Sequence, residues 1–328
     1  MELYKDQYIV VTGGAGFIGS GVIRALNDRG YSNIIVVDDF KTGEKWKNLV
    51  GKRYAEMISK HELFSWLKGK ESAIEAFVHL GACSSTVEND ASYLFENNYR
   101  FSMRLAEYAI DNGHRFVYAS SAATYGSGSQ GFSDNEDKLD ELRPLNMYGY
   151  SKHMFDLWLK TQGVLDKVCG LKYFNVFGPN EYHKGRMSSA ILHFVKQIES
   201  TGKIRLFKSS EPEKYSDGGQ MRDFIYVKDA ARITADLLKR EVFGIYNLGT
   251  GEPNTWLDLG KAVFEGMQRP EEIEFAAMPD DLVGKYQNYT AADMDKLKNA
   301  FGEDLRFTPF NEAVIEYVSD YLILNKYW

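Results

Sequence analysis

The sequence has little of what metal sites, disulfide frameworks and membrane anchors require. Its 328 residues include two cysteines, Cys83 and Cys169, and six histidines. Two thiols so far apart make neither a disulfide framework nor a metal cluster, and the scattered histidines lack zinc-binding spacing. We therefore expect no bound metal, and the two unpaired thiols favour a cytoplasmic location.

Long apolar runs and excess positive charge are also absent. No stretch approaches the roughly 18 apolar residues of a membrane-spanning helix. The N-terminal MELYKDQYIVV lacks the apolar segment of a signal peptide. The 39 basic and 46 acidic residues give a formal net charge of −7, without a basic tract. The sequence therefore predicts a protein that binds neither membranes nor nucleic acid.

The first half of the chain alternates between strand and helix patterns. Short apolar runs predict strands at 8–11, 34–37, 76–80, 116–119 and 168–174, and longer periodic segments predict helices at 17–29, 93–112 and 147–162. Apolar strands separated by helices are typical of a parallel sheet that is covered on both faces. The prediction is an α/β fold built on a doubly wound parallel Rossmann sheet.

After about residue 174 the pattern changes to short strands mixed with helices and with segments rich in Gly, Pro, Lys and Ser. These strands are predicted at 204–207, 224–227, 245–248 and 273–276. The mixture predicts a smaller α/β substrate-binding domain, formed by 175–222 and 251–328. The cofactor-binding domain then comprises 1–174 and a returning segment at about 223–250.

A glycine-rich turn, GGAGFIG at 13–19, connects the first strand to the first helix. In such a turn Gly13 allows the tight bend, Gly16 lets the backbone approach a pyrophosphate, and Gly19 lets the helix pack on the strand. The positive end of the helix then faces the phosphates. With the acidic Asp38 at the end of the second strand, this turn predicts a bound dinucleotide.

The residues after the second strand leave the choice between NAD and NADP open. An acidic side chain at the position of Asp38 usually accepts a hydrogen bond from the ribose 2′-hydroxyl, which favours NAD. Lys41, Lys45 and Lys60 follow, and they could hold the 2′-phosphate of NADP or form a solvated surface.

Tyr148 and Lys152 give the strongest catalytic signal. Because they are four residues apart, they share one face of the predicted helix. A tyrosine with a pKa of about 10 is a poor base at neutral pH, and a nearby ammonium stabilises its phenolate. Tyr148 could then move a proton to or from a substrate hydroxyl. Ser121 ends a predicted strand, where ligands bind in open parallel sheets, and can supply a hydroxyl to the same oxygen.

These motifs resemble the extended short-chain dehydrogenase/reductases that act on sugar nucleotides and, within them, the family of ADP-L-glycero-D-manno-heptose 6-epimerases. The resemblance extends from the glycine turn to the C-terminal helix. It is densest at TGGAGFIGS (12–20), LGACSST (80–86), ENNY (96–99), YASSAATYG (118–126), NMYGYSK (146–152), KYFNVFGPNEYHKGRM (172–187) and RDFIYVKD (222–229).

The resemblance implies a reaction and its partners. The reaction is epimerisation at C6 of ADP-glycero-manno-heptose, through oxidation and re-reduction with tightly bound NADP, in the synthesis of heptose precursors of the lipopolysaccharide core. It also implies a homo-oligomer, with a pentamer as the specific form. Tyr148 would be one acid/base with Ser121 as its partner, Lys152 would hold the nicotinamide ribose, and Lys184 would be a second acid/base.

The resemblance further implies two sets of binding residues. The cofactor would be bound by Gly13, Gly16, Phe17, Ile18, Gly19, Asp38, Asp39, Lys45, Lys60, Leu80, Gly81, Ala82, Cys83, Ser84, Asn97, Tyr148, Lys152, Val176 and Lys184, with Lys45 at the 2′-phosphate. The substrate would be bound by Ser121, Asn175, Arg186, His193, Phe207, Lys208, Ser209, Ser210, Arg222 and Tyr286. The chain departs from the family at Leu80, often an acid, at Arg186, often a serine, and in a longer loop at 211–220.

Other interpretations stay open. Lys184 could be an exposed loop lysine, His193 a structural helix histidine, and Cys83 a small lining residue. A UDP-hexose 4-epimerase or a 4,6-dehydratase is the first rival, although Ala122 and Ala123 stand where a dehydratase needs its acid and base. A dinucleotide-sensing binding protein is the second, although such proteins commonly lose the Tyr/Lys pair that this chain retains.

Overall fold

The structure is a computed structural model that describes residues 3–278 and 287–328. Its strands and helices, in chain order, are β1 (Tyr8–Thr12), α1 (Phe17–Asp28), β2 (Ile34–Asp38), β3 (Glu56–Ser59), α2 (Leu63–Trp66), β4 (Ile74–His79), α3 (Ala91–Leu94), α4 (Phe101–Asp111), β5 (Arg115–Ser121), α5 (Met147–Thr161), β6 (Cys169–Tyr173), β7 (Asn175–Phe177), α6 (Ala190–Thr201), β8 (Ile204–Phe207), β9 (Met221–Tyr226), α7 (Val227–Leu237), β10 (Gly244–Leu248), β11 (Pro253–Thr255), α8 (Trp256–Gly266), β12 (Ile273–Ala276), α9 (Asp295–Phe301) and α10 (Phe310–Glu316). A π-helical turn, Phe95–Arg100, joins α3 to α4, and another, Tyr317–Leu322, follows α10.

Seven strands form one parallel sheet with the order β3-β2-β1-β4-β5-β6-β10. The first six of these strands lie in the order that is typical of a dinucleotide-binding sheet. In this order the chain adds strands on one side of β1 up to β3 and then on the other side, beginning with β4. The predicted doubly wound parallel Rossmann sheet is therefore confirmed. Strand β10 extends it at one edge, so the chain returns to this sheet after forming other elements.

Alternate side chains of the central strands pack against different helices, because successive residues of a strand point to opposite faces. Val11 lies in one buried cluster with Ile23 of α1 and Ile233 of α7. Val10, its neighbour, lies in a second cluster with Leu105 of α4 and Phe155 of α5. Both faces of the sheet are thus covered by helices, and the carboxyl ends of the strands are left to form a site.

The remaining elements build a smaller unit. Strands β11, β9 and β7 form a three-stranded sheet, and β12 pairs with β8. Apolar residues of α6, α8 and α10 surround them in a third buried cluster, which includes Phe194, Phe264 and Val314. The chain leaves the main sheet at Phe174, whose amide donates to the Leu248 carbonyl at 3.0 Å. The division of the chain into two domains at 174, 222 and 250 stays a prediction.

In the described part of the chain, no helix combines the length and apolar character that crossing a membrane requires. Nor do residues 3–278 and 287–328 contain a group of three or more His, Cys, Asp or Glu side chains placed to hold a metal ion. Cys83 is partly exposed and Cys169 is buried, and both are free thiols.

Candidate active site

A cavity of about 680 Å³ opens at the carboxyl ends of the parallel strands. Its wall contains the glycine turn after β1, Asp38 at the end of β2, Leu80 after β4, Ser121 at the end of β5 and Tyr173 at the end of β6. Since parallel strands present their carboxyl ends at one edge, residues far apart in sequence meet here. The wall thus includes both the predicted phosphate turn and residues of the predicted catalytic helix.

The glycine turn leaves its backbone open for a ligand. Gly13 has a φ of +66°, and a Cβ on it would lie 2.8 Å from the Gly81 Cα atom. A Cβ on Gly19 would lie 2.1 Å from the Gly13 carbonyl oxygen, so this glycine is required for α1 to pack on the turn. Helix α1 begins at Phe17 without a side-chain cap, which leaves its N-terminal amides free to bind an anion. These features fit the pyrophosphate of a dinucleotide.

Asp38 is already engaged within the protein. The side chain is buried, and its Oδ2 atom accepts from the Ala15 amide at 2.9 Å. Its Oδ1 atom accepts from the Asp39 amide at 2.7 Å and from the Lys45 ammonium. Asp38 therefore stabilises the glycine turn and holds Lys45 at the cavity wall.

Two further lysines surround Asp39. The Lys41 and Lys60 ammonium groups lie 3.4 Å and 3.5 Å from its Oδ2 atom. Burial acts to raise the pKa of Asp39, but Lys60 and Lys41 outweigh it and lower that pKa. Lys60 also donates to the Asn97 side-chain oxygen at 2.7 Å. With Lys45, three lysines therefore line this end of the cavity, together with the carboxylates of Asp38, Asp39 and Glu44.

Tyr148 lies in the first turn of α5, where Asn146 caps the helix by accepting from the Gly149 amide at 2.8 Å. The Tyr148 and Ser121 side chains both line the cavity. Burial raises the pKa of Tyr148, and the neighbouring Ser121 side chain partly opposes this rise. The structure therefore brings together the tyrosine and the serine that the sequence singles out. Without a further positive charge near its hydroxyl, the Tyr148 phenol is protonated at neutral pH.

Lys152 is buried one helical turn further along. Its Nζ atom donates to the Ala119 carbonyl at 2.8 Å, which accounts for one of its three protons. Desolvation lowers the pKa of Lys152 to about 8, against the opposing effect of Asp156. Lys152 thus remains an ammonium near neutral pH, with donors available for a ligand.

Lys184 enters the cavity from the segment between β7 and α6. Its Nζ atom lies 5.1 Å from the centre of the Phe17 ring. Burial lowers the pKa of Lys184, and Glu181 opposes this shift. Glu181 is itself fully buried and anchors the segment, because its carboxylate accepts from the Ser189 amide, the Ser189 hydroxyl and the Tyr317 hydroxyl at 2.5 to 2.9 Å.

The cavity wall unites most of the predicted cofactor and catalytic residues. Those that line it are Gly13, Gly16, Phe17, Ile18, Gly19, Asp38, Asp39, Lys45, Lys60, Leu80, Gly81, Ala82, Ser84, Asn97, Ser121, Tyr148, Lys152, Val176 and Lys184. Cys83, also predicted to bind the cofactor, is not among the residues that line the cavity. Its main chain is held by Asn98, which accepts from the Cys83 amide and donates to its carbonyl. The functional roles of all these residues stay a prediction.

Several residues of the cavity wall were not predicted from the sequence, of which His183 is the most notable. His183 lines the cavity with Lys45 and Lys184, and burial together with these two charges lowers its pKa to about 4. It is therefore neutral at pH 7. Its position inside the HKG segment next to Lys184 was the available signal. Tyr93, Phe101 and Phe174 also line the cavity, and their apolar character resembles that of ordinary core residues.

The predicted substrate residues other than Ser121 lie outside this cavity, as far as the described residues show. Asn175 donates to the Asp223 carbonyl at 3.3 Å, and the His193 Nε2 atom lies 3.3 Å from the Ser188 hydroxyl. The Arg222 guanidinium stands 5.7 Å from the Trp256 ring centre. The exposed Arg186 and the segment Phe207, Lys208, Ser209 and Ser210 at the end of β8 complete this group. Tyr286 lies outside the described residues.

Comparison with known proteins identifies the family. The model of the NAD dependent epimerase/dehydratase family matches residues 9–249. A protein of Nitratidesulfovibrio vulgaris (strain DP4), named ADP-L-glycero-D-manno-heptose-6-epimerase, is 51% identical over 316 residues, or 95% of this chain and 97% of that protein.

Two crystal structures share the fold. The Helicobacter pylori ADP-L-glycero-D-manno-heptose-6-epimerase superposes with a TM-score of 0.79, at 24% identity over 98% of this chain and 96% of that chain. The Thermus thermophilus UDP-glucose 4-epimerase, in complex with NAD, has a TM-score of 0.73 at 25% identity, over 95% and 98% of the two chains. The fold alone does not distinguish these two kinds of epimerase, but the 51% sequence identity to the Nitratidesulfovibrio vulgaris protein does. The chain belongs to the NAD dependent epimerase/dehydratase family and, within it, to the family of ADP-L-glycero-D-manno-heptose-6-epimerases.

Proposed function

We propose that the protein epimerises C6 of ADP-glycero-manno-heptose, from the D-glycero to the L-glycero configuration, as a step in making heptose precursors of the lipopolysaccharide core. The observation that carries this proposal is that Tyr148 and Lys184, two side chains able to move protons, line one cavity from different elements. The name of the relative at 51% identity supports the choice of substrate.

The chemistry needs two proton-moving groups. A nicotinamide dinucleotide held by the glycine turn and Lys152 would supply the hydride chemistry at C6, by which the hydroxyl would be oxidised to a ketone and reduced again from the opposite face. The C6 oxygen occupies different positions in these two halves, and a single acid/base cannot reach both. The Tyr148 phenol, assisted by Ser121, moves the hydroxyl proton in one half, and the Lys184 Nζ atom moves it in the other. Contacts to the remote ADP moiety keep the ketone from leaving.

The environments of these groups suit these roles. Burial lowers the pKa of Lys184, which favours the neutral amine that a base requires. Burial raises the pKa of Tyr148, so its ionisation depends on positive charge brought by the oxidised nicotinamide and by Lys152. The free donors of Lys152 would hold the nicotinamide ribose and fix the ring beside Tyr148.

We propose NADP as the preferred dinucleotide. Both oxygens of Asp38 already accept hydrogen bonds from the protein, which leaves little capacity for a ribose 2′-hydroxyl. Lys41, Lys45 and Lys60 cluster around the same point, and ammonium groups bind phosphate well. The family description, which names NAD, supports the nicotinamide dinucleotide in general.

Replacing Lys45 with Met is expected to raise the Kd for NADP by roughly 10- to 100-fold, the effect of losing one charge-assisted hydrogen bond. Binding of NAD should stay unchanged or become tighter, because Asp38 is released for the 2′-hydroxyl. Calorimetric titration of both dinucleotides into cofactor-free protein measures the difference. Lys47→Met is the matched control, since Lys47 lies in the same turn and pairs with Glu44 at 2.6 Å. Equal losses for both dinucleotides would refute the role of Lys45.

The reaction is tested by incubating the purified protein with ADP-D-glycero-D-manno-heptose, without added cofactor, and following C6 by proton NMR. We expect an equilibrium mixture of the two C6 epimers, because the cofactor is carried by the protein and regenerated in each turnover. Unchanged heptose in the presence of bound dinucleotide would contradict the proposal. UDP-hexoses would then be tested for 4-epimerisation and 4,6-dehydration, and a lack of any turnover would favour a binding protein.

The cytoplasmic location and the pentameric assembly belong to the same proposal. Two free thiols support a reducing compartment. The family resemblance supports the homo-oligomer, and light scattering of the purified protein measures its mass directly.

A further inference from the structure

An ion pair lies inside the protein next to residues of the cavity wall. Lys172 in β6 and Asp156 in α5 are both fully buried, and their Nζ and Oδ2 atoms are 2.6 Å apart. Removing two charges from water is costly, and apolar residues of similar volume often stabilise a fold as well or better. The position of this pair therefore suggests a contribution to the site.

The Asp156 carboxylate joins helix α5 to strand β5. Its Oδ1 atom accepts from the Tyr118 hydroxyl at 2.9 Å, and its Oδ2 atom accepts from the Ser120 hydroxyl at 2.7 Å. Ser120 lines the cavity and immediately precedes Ser121. Asp156 lies one turn after Lys152 on α5. A single carboxylate thus connects the helix that carries Lys152 to the strand that carries Ser121.

The Lys172 ammonium extends the connection to the turn after β5. Its Nζ atom donates to the Thr124 hydroxyl at 2.7 Å, and that hydroxyl donates to the Ser121 carbonyl at 2.8 Å. The ammonium also lies 5.2 Å from the centre of the Tyr125 ring, a distance typical of a cation–π contact. The Ser121 main chain is therefore held by a short chain of hydrogen bonds that begins at Lys172.

The pair also lies within the electrostatic surroundings of Lys152. Asp156 is the charge that opposes desolvation of the Lys152 ammonium, and Lys172 lies behind it on β6. His79 faces Lys152 from β4 and is neutral, because burial lowers its pKa to about 3. The other titratable groups of the cavity wall on this side are Tyr148, Tyr173 and Lys184, and burial disfavours the charged form of each.

We propose that Asp156 and Lys172 are positioning residues of the active site. Together they hold strand β5 and helix α5 in the relation that Ser121 and Tyr148 require. The inference rests on the function proposed above for Ser121, Tyr148 and Lys152.

The test is Asp156→Asn, which keeps the side-chain volume and removes the charge. We expect kcat to fall about 100-fold, the scale of a small misplacement of catalytic groups. KM should change by less than about 3-fold, because Asp156 does not line the cavity and so contributes little uniform binding. Lys152 acts as an ammonium, so activity is lost as the pH rises through its pKa. Without Asp156 that pKa falls, and the alkaline decline of kcat should begin at a lower pH than in the wild type.

The pH dependence of dinucleotide binding gives the same comparison without any sugar. Lys152 also contributes to dinucleotide binding. As the pH rises, the affinity for the dinucleotide should therefore begin to weaken at a lower pH in Asp156→Asn than in the wild type. Asp236→Asn is the matched control, since it removes a carboxylate that pairs with Arg29 at 2.7 Å and does not line the cavity. A folded, cofactor-loaded Asp156→Asn protein with wild-type kcat and wild-type pH profiles would overturn the inference.

Thr124→Val decides the matter if Asp156→Asn does not fold. It leaves the ion pair intact and removes only the hydroxyl between Lys172 and Ser121, and a loss of kcat of at least about 10-fold with little change in KM is expected. Unchanged kcat in this variant would overturn the inference. Failure of the proposed function appears in the wild type, as unchanged heptose, whereas failure of this inference appears only in the comparison of variants.

Discussion

Tyr148→Phe is expected to lower kcat for C6 epimerisation by about 1000-fold, within the range contributed by a positioned general acid or base. The substitution removes only the phenolic oxygen of a side chain that lines the cavity together with Ser121. The rest of the ring stays in place, so folding and dinucleotide content should be retained. Proton NMR of the heptose gives kcat, and absorbance of the released dinucleotide gives the cofactor content.

Tyr150→Phe is the control for this substitution. Tyr150 lies on the same helix two residues away, is 47% exposed and does not line the cavity. It should retain wild-type kcat. If Tyr148→Phe retained nearly full activity with cofactor bound, Tyr148 would have no part in proton transfer and the assignment of the whole site would fail with it.

The main sheet was predictable because its central strands are buried on both faces and bounded by glycines or polar residues. Strand β2, for example, is buried throughout. The strands that the sequence did not predict give weaker signals. In β3 only Ile58 is buried, as expected for an edge strand, and β11 is the three-residue segment PNT. Such short or half-exposed strands depend on neighbouring elements, so their own residues do not specify them.

The site was predictable where one helix or one turn carries the chemistry. Tyr148 and Lys152 lie on one face of a single helix, and the glycine turn is one continuous stretch of sequence, so both can be recognised from the sequence alone. The Asp156–Lys172 pair was not predicted, because it forms only when α5 packs against β6. A lysine within an apolar strand gives no indication of its partner, which here is 16 residues away. Contacts of this kind follow from tertiary packing.

Lys184→Met is expected to lower kcat by about 1000-fold as well, since it removes the second group that moves the C6 hydroxyl proton. Methionine keeps the length of the side chain beside Phe17, where the Lys184 Nζ atom lies 5.1 Å from the ring centre. The assay is the same NMR measurement. It is made at saturating dinucleotide, because Lys184 lines the cavity in which the dinucleotide is proposed to bind and its loss could also weaken that binding. Lys196→Met, on the exposed surface of α6, is the control and should behave as the wild type.

The double variant Tyr148→Phe/Lys184→Met distinguishes a two-base scheme from a single shared step. If each group serves a different half-reaction, each substitution slows one half-reaction, in its forward and its reverse direction alike. Turnover is then limited by a slowed half-reaction whether one or both are slowed. The kcat of the double variant should therefore fall about as much as that of either single variant, roughly 1000-fold. If both groups contributed independently to the same step, the losses would multiply towards roughly a million-fold. A multiplied loss would contradict the assignment of Tyr148 and Lys184 to opposite halves of the epimerisation.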